Sequence, residues 1–299
     1  MKAHYIPEDR FPIRLTPHVT LVGNYFFNLF LVTGKNRSAL FETGISGCVD
    51  EVIRQLERLD VSVDYLIPSH PHTDHITGLP GLMKRFPKAQ ILAAAGAREF
   101  ITHPKACALL VKEDAFMSKG LAGMGISPGR PALEAIPDLH DAHVIETAHR
   151  LDLGQLTLEL MTVKGHSPGN LMGFIKEEKI LFCSDSLGFH FPGRGFWPLF
   201  FTGAAAYLST LEFIKDFDPE ILCPGHQGHL EKTAAKEGII DAINITVDTI
   251  RQVKDTRLSD QELAQKMFDQ SYKDEFTLYT KRNIQNCTDI LIKRARQAS

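Results

Sequence analysis

Three features are scarce in this 299-residue chain, and each scarcity narrows what it can do. Neither sign of charge dominates. The net is -3, which gives no general attraction to nucleic acid or to an anionic membrane. No run of about eighteen apolar residues occurs, the length that a spanning helix needs. Cysteine is sparse at five residues, an odd number without framework spacing. Cys48, Cys107, Cys183, Cys223 and Cys287 therefore read as reduced, mostly buried thiols and not as a disulfide scaffold. The opening stretch, residues 1–14, is charged and holds two prolines, which is not the pattern of a secretory leader. The expectation is a cytoplasmic protein that works on small molecules, with no nucleic-acid or membrane partner.

What is present is enough for a large core, with 43% hydrophobic residues. The length allows one large domain or two small ones. Residues 18–23, 28–33 and 38–43 read as three strands separated by Gly23-Asn24 and Gly34-Lys35-Asn36, a meander signal. A helix over 49–59 follows, with Val52, Leu56 and Leu59 at helical spacing. Strands are expected at 65–68 and 90–94, with a short helix at 82–86 between them. The theme returns with strands at 156–163, 171–175 and 179–182, a helix at 204–217 and a strand at 221–223. Two such halves predict an α/β fold of two sheets with outer helices.

The densest chemistry lies in His70-Pro71-His72-Thr73-Asp74-His75, after the short apolar stretch 65–68. Three imidazoles and a carboxylate in six residues aim at one small volume, as a divalent transition metal requires. Such ligands suit Zn, Fe or Mn better than Ca or Mg. Three further candidates each follow an apolar run: His166 in Gly165-His166-Ser167-Pro168-Gly169, Asp185 after 180–184, and His226 after 221–225. Strand ends on one edge of an α/β layer form the crevice where ligands collect. Cys183 and Cys223 lie near these candidates but, one strand alternation away, read as core.

These residues resemble the His-x-His-x-Asp-His motif and later single ligands of the metallo-β-lactamase superfamily, over roughly residues 17–230. The resemblance implies an αβ/βα sandwich with a binuclear site. By it, His70, His72 and His166 hold one metal, Asp74, His75 and His226 the other, and Asp185 bridges them, with Asp74 also in a catalytic role. An aspartate at 185 is similar to glyoxalase II and related thioesterases and speaks against lactam hydrolysis. Glu42, in Phe41-Glu42-Thr43-Gly44, stands where most of the superfamily has Asp. Residues 181–188, Trp197-Pro198-Leu199 and Ala206-Tyr207-Leu208 resemble the family of the bacterial quinolone-signal response thioesterase, which implies a helical C-terminal segment over the active site.

Residues 1–230 are thus expected to form the catalytic domain and 231–299 a helical segment packed on it. Ile239, Ile243, Ile250 and Val253 form one stripe, Ser259 to Glu262 has a capping-box pattern, and Ile284, Cys287 and Leu291 mark a last helix. The segment after His226 is too short for a flavodoxin-like domain, which speaks against the diiron oxygen-reductase branch. Residues 97–139, with Lys112-Glu113-Asp114 and Ser127-Pro128-Gly129-Arg130-Pro131, read as an irregular connector, either a lid or a surface insertion of short helices. Residues 189–201 read as a Gly/Pro-broken aromatic loop beside the metals. Phe189, His190, Phe196 and Trp197 are its candidate pocket residues.

Two cations about 3.5 Å apart bring a bridging water toward neutral pKa. The hydroxide can then attack a carbonyl or phosphoryl centre. A thioester suits such a site because a thiolate leaves without a strong acid. The leading expectation is a thioesterase on an acyl-CoA-type substrate with two divalent metals per chain, Zn first and Fe or Mn open. The alternatives are a glutathione thioester hydrolase of the glyoxalase II kind, a lactonase, a phosphodiesterase, or a regulatory binding protein with a residual metal site. The sequence leaves a homodimer open.

Overall fold

The computed structural model describes residues 4–126, 133 and 135–298. In the first half, β1 (Ile13–Arg14), β2 (Val19–Gly23), β3 (Asn28–Thr33) and β4 (Ser38–Phe41) pair antiparallel in sequence order, with Leu21 opposite Phe30 and Phe30 opposite Phe41. Helix α1 (Val49–Arg58) crosses over to β5 (Tyr65–Ile67), and the pairing becomes parallel. The one-turn α2 (Thr73–Ile76) and α3 (Leu79–Arg85) lead to β6 (Gln90–Ala94), and α4 (Ala97–Thr102) and α5 (Pro104–Gly123) precede β7 (His143–Ile145). These seven strands form one sheet in the order β1 to β7.

The second half contains β8 (Ala148–Asp152), β9 (Thr157–Val163), β10 (Asn170–Ile175) and β11 (Ile180–Phe182). A hairpin of β12 (Phe189–Phe191) and β13 (Gly195–Trp197), helix α6 (Ala204–Asp216), β14 (Ile221–Cys223) and β15 (Leu230–Glu231) follow. Helices α7 (Thr233–Asp255), α8 (Asp260–Ser271) and α9 (Lys281–Gln297) complete it. The second sheet has the order β15-β14-β11-β10-β9-β8.

The period of two along each strand sorts side chains between two layers. Leu29, Leu31, Leu40 and Leu66 turn toward α1, α3 and α5, sharing a core with Val52, Leu82 and Met117. Their neighbours Phe30, Phe41 and Ile67 turn the other way and meet Leu158, Leu171 and Phe182 of the second sheet. Met172, Leu181 and Leu222 face outward against Tyr207, Ile239 and Leu291. Helices, sheet, sheet and helices are therefore stacked as the αβ/βα sandwich expected from the sequence, with the helical C-terminal region.

Three expectations need correction. Residues 97–123 are not irregular but form α4 and the twenty-residue α5. Helical periodicity is weak there because α5 buries Glu113, Asp114 and Ser118 beside Leu110, Met117 and Leu121, so polar residues interrupt the apolar stripe. Ser127 to Pro131 lies outside the described residues. The aromatic stretch after Asp185 is not a loop but the β12–β13 hairpin, turned at Gly193, which adopts φ +76°. The helix before β6 begins at Leu79, with a proline in its first turn. The capping box is present: Ser259 and Glu262 exchange hydrogen bonds at the start of α8.

Candidate metal centre

All the candidate ligands lie just beyond the C-terminal ends of four strands. His70 and His72 follow β5, and His72 is the residue before α2, whose single turn carries Asp74 and His75. His166 follows β9, Asp185 lies in a 3-10 turn after β11, and His226 follows β14. Gly225 makes room for this convergence, since a Cβ there would stand 2.7 Å from Cε1 of His75.

The donor atoms cluster in three overlapping groups, each within 4.8 Å: His70, His72 and His166; His70, His75 and Asp185; and Asp74, His75 and His226. His166 Nε2 lies 3.1 Å from both His70 Nε2 and His72 Nδ1. Asp74 Oδ2 lies 3.6 Å from His75 Nε2 and 3.5 Å from His226 Nε2. Asp185 faces both sets. Its Oδ2 is 3.6 Å from His166 Nε2, 3.9 Å from His70 Nε2 and 3.5 Å from His75 Nε2, while its Oδ1 is 3.4 Å from His226 Nε2.

The opposite ring nitrogens are held by the protein. His70 Nδ1 meets Ser69 Oγ at 2.8 Å, His166 Nδ1 meets the Leu199 carbonyl at 2.8 Å, and His226 Nδ1 meets the Phe26 carbonyl at 2.7 Å. His75 Nδ1 lies 3.0 Å from Glu42 Oε2. Glu42 adopts φ +75°, a region costly for a side-chain-bearing residue, and accepts a hydrogen bond from Ser184 Oγ at 2.5 Å. Such outer contacts fix ring orientation in metal sites. Within the cluster, His75 Nε2, His226 Nε2 and Asp185 Oδ1 are buried without hydrogen-bond partners. Buried polar atoms without partners are costly, and three that converge on one point fit a shared cation.

The electrostatics divide the site. Burial, then the neighbouring imidazoles, pushes His70 well below the usual histidine range and His72 to about 3. Burial also lowers His166. These three present neutral nitrogens. Burial opposes the charged form of His75 as well, but Glu42, Asp74 and Asp185 overcome it and raise the group. His226 is raised in the same way, with burial outweighed first by Asp185. Burial likewise opposes ionised Asp74 and Asp185, yet His75 and His226 hold both low.

A cavity of about 360 Å³ opens onto these groups. Leu110 and Met117 of α5, Phe189 and Trp197 of the hairpin, and Phe276 and Tyr279 of the C-terminal region help line it. Among the described residues no lysine or arginine lines it. Of the four pocket residues expected from sequence, Phe189 and Trp197 face this cavity, and His190 and Phe196 do not. The reason is hairpin register: Phe189 pairs with Trp197 on one face, and His190 with Phe196 on the other. Phe196 packs instead toward Gly238 of α7. Sequence reasoning missed Tyr279, whose O–H donates to Asp74 Oδ2 at 2.8 Å, and Glu113. Tyr279 stays protonated because burial, then Asp74 and Asp185, raises its phenol well above the usual range. For Glu113 the available signal was a pair of adjacent acids, Glu113-Asp114, in a stretch that is helical.

The family model of the metallo-β-lactamase superfamily matches residues 23–226. The chain belongs to this superfamily, a group made up mostly of metallo-hydrolases, and carries the His/Asp cluster that suits divalent metal. It is similar to the coenzyme F420H2 oxidase of Methanothermobacter marburgensis, with 29% identity over 57% of this chain and 36% of that protein. It also resembles a hydroxyacylglutathione hydrolase of a Synechococcus species, with 26% identity over 44% of this chain and 41% of that one. The chain thus spans well under half the length of either relative. An archaeal metallo-β-lactamase superfamily protein from Sulfolobus tokodaii shares the fold, with a TM-score of 0.58, 17% identity, and coverage of 92% of this chain and 94% of that one. No helix among the described residues is long and apolar enough to cross a membrane.

Proposed function

We infer that the protein is a binuclear metal-dependent hydrolase of thioesters with an apolar acyl group, of the acyl-CoA type. The observation that carries this reading is the placement of a largely apolar cavity against the converging imidazoles. In it His70, His72 and His166 would hold one divalent cation and Asp74, His75 and His226 the other, with Asp185 facing both sets of ligands. Such a pair supplies an acidified water and a Lewis acid for the substrate oxygen. The chain's own residues do the rest. Asp185 neutralises charge between the two halves, and the partners behind His70, His75, His166 and His226 keep their donor nitrogens aimed inward. Phe100 and Phe201, with ring centroids 5.8 and 6.2 Å from His72, shield the site from bulk water. Phe189 and Trp197 form the acyl wall. The products are a carboxylate and a thiol, and the thiolate departs without a strong general acid.

A glyoxalase II-like activity is the second reading, favoured by the likeness to a hydroxyacylglutathione hydrolase. The apolar wall weighs against it, because a short hydroxyacyl group such as lactoyl would bury little against Phe189, Trp197 and Phe276. Elemental analysis of protein purified without added metal tests the site. Two metals per chain are expected, and His70→Ala/His75→Ala should abolish both. Full metal content in that double variant would overturn the ligand assignment.

A further inference from the structure

Two neighbouring carboxylates on α5, Glu113 and Asp114, are 1% and 0% exposed. Burying adjacent acids is costly unless each finds donors. Successive helical residues point in different directions, and these two serve different neighbours. Asp114 accepts hydrogen bonds from the Ser46 N–H at 2.9 Å, from Ser46 Oγ at 2.5 Å and from Thr77 Oγ at 2.5 Å. Thr77 ends α2, the turn that carries Asp74 and His75. Glu113 accepts from the Thr280 N–H at 3.2 Å and from Thr280 Oγ at 2.5 Å. Thr280 is the cap of α9, and its neighbour is Tyr279.

Tyr279 donates its O–H to Asp74 Oδ2, the oxygen that also faces His75 and His226. The contacts close a ring: Asp74 through α2 to Thr77, then Asp114, Glu113, Thr280, Tyr279 and back to Asp74. A carboxylate's terminal torsion is broad when nothing holds it. The phenol donor fixes its plane, and both ends of the ring are tied to a single turn of α5.

We propose that Tyr279 is a positioning residue for the second metal, holding Asp74 with Oδ2 aimed between His75 and His226, and that Glu113 acts through it by anchoring Thr280. This rests on the binuclear reading above. It gives the inserted helix α5 and the C-terminal region a direct part in the metal centre beyond lining a cavity.

The test is chelator competition on the full-length protein loaded with Zn, following each metal by elemental analysis. Tyr279→Phe keeps the ring that packs 6.1 Å from Phe189 and from Phe276 and removes only the O–H. The second metal should then bind about tenfold more weakly or worse, in the range seen for losses of outer contacts to metal ligands, while the first is unchanged. Glu113→Gln should shift the same metal in the same direction. The double variant should be no worse than Tyr279→Phe, because both act through one bond. Should Tyr279→Phe fail to fold, Glu113→Gln alone decides the matter by the same readout. Equal affinities in wild type and variants, or parallel loss of both metals, would overturn the proposal. A wild type that holds a single metal would overturn it together with the binuclear reading. If the wild type holds two metals but hydrolyses no thioester, only the substrate reading fails, and the titration still decides the role of Tyr279.

Discussion

Asp185 is where the two halves of the centre meet, with one oxygen facing His70, His166 and His75 and the other facing His226. Replacing it with asparagine keeps the shape and removes the charge that offsets His75, His226 and any bound cation. Asp185→Asn should lower kcat at least ~100-fold, the upper end of what disturbed metal surroundings cost. Turnover assays with parallel metal analysis check this, and near-normal rates with two metals bound would mean that Asp185 is no ligand. At this scale the sequence was most legible for residues whose neighbours along the chain already announce a metal site, such as His70 to His75. Glu113 and Tyr279 were hidden because their partners are far away in sequence: Glu113 meets Thr280 across 167 positions, and Tyr279 meets Asp74 across 205. Glu42 was visible as an unusual residue, but its contact with His75 was not.

Elements were legible where one periodicity ruled them. The buried strands β3, β4 and β10 and helix α1 fall within a residue or two of where their patterns predict. The two-residue β1 and β15 were not seen, being too short for a periodic signal. β7 carries exposed residues on both faces, and β8 alternates but holds a single buried apolar residue, Leu151, so neither gives a strong apolar signal. Helix α5 was obscured by its buried acids. The hairpin's glycines and proline suggest an irregular loop, in which the two-residue alternation that turns His190 and Phe196 away from the cavity has no place. The corrected register yields a contrast. Trp197→Ala should reduce discrimination between long and short acyl groups, whereas Phe196→Ala should lower stability by ~3 kcal/mol or more as a cavity in the outer core and leave that discrimination intact. Acyl-chain selectivity and thermal melts of the two variants measure this. If Phe196→Ala alone altered selectivity, the hairpin would present its other face to the substrate.

At the scale of the whole molecule, the sandwich sets four strand ends side by side, and the helical layers decide what can reach them. The C-terminal helices share a core with the second sheet through Ile239, Val253, Leu291 and Ala295, and the same region sends Phe276 and Tyr279 to the cavity wall. The sandwich was readable because two halves repeat strands followed by helix and strand. The route by which 231–299 reaches the centre was not, since no local pattern encodes a contact with Asp74. The most direct measurement of the central claim is kcat/KM of the metal-loaded protein along an acyl-CoA series from acetyl to octanoyl, with lactoylglutathione alongside. Each methylene buried should add about 0.8 kcal/mol, so two more should give roughly tenfold, up to the length the cavity accommodates. A flat series, or lactoylglutathione as the best substrate, would contradict the account.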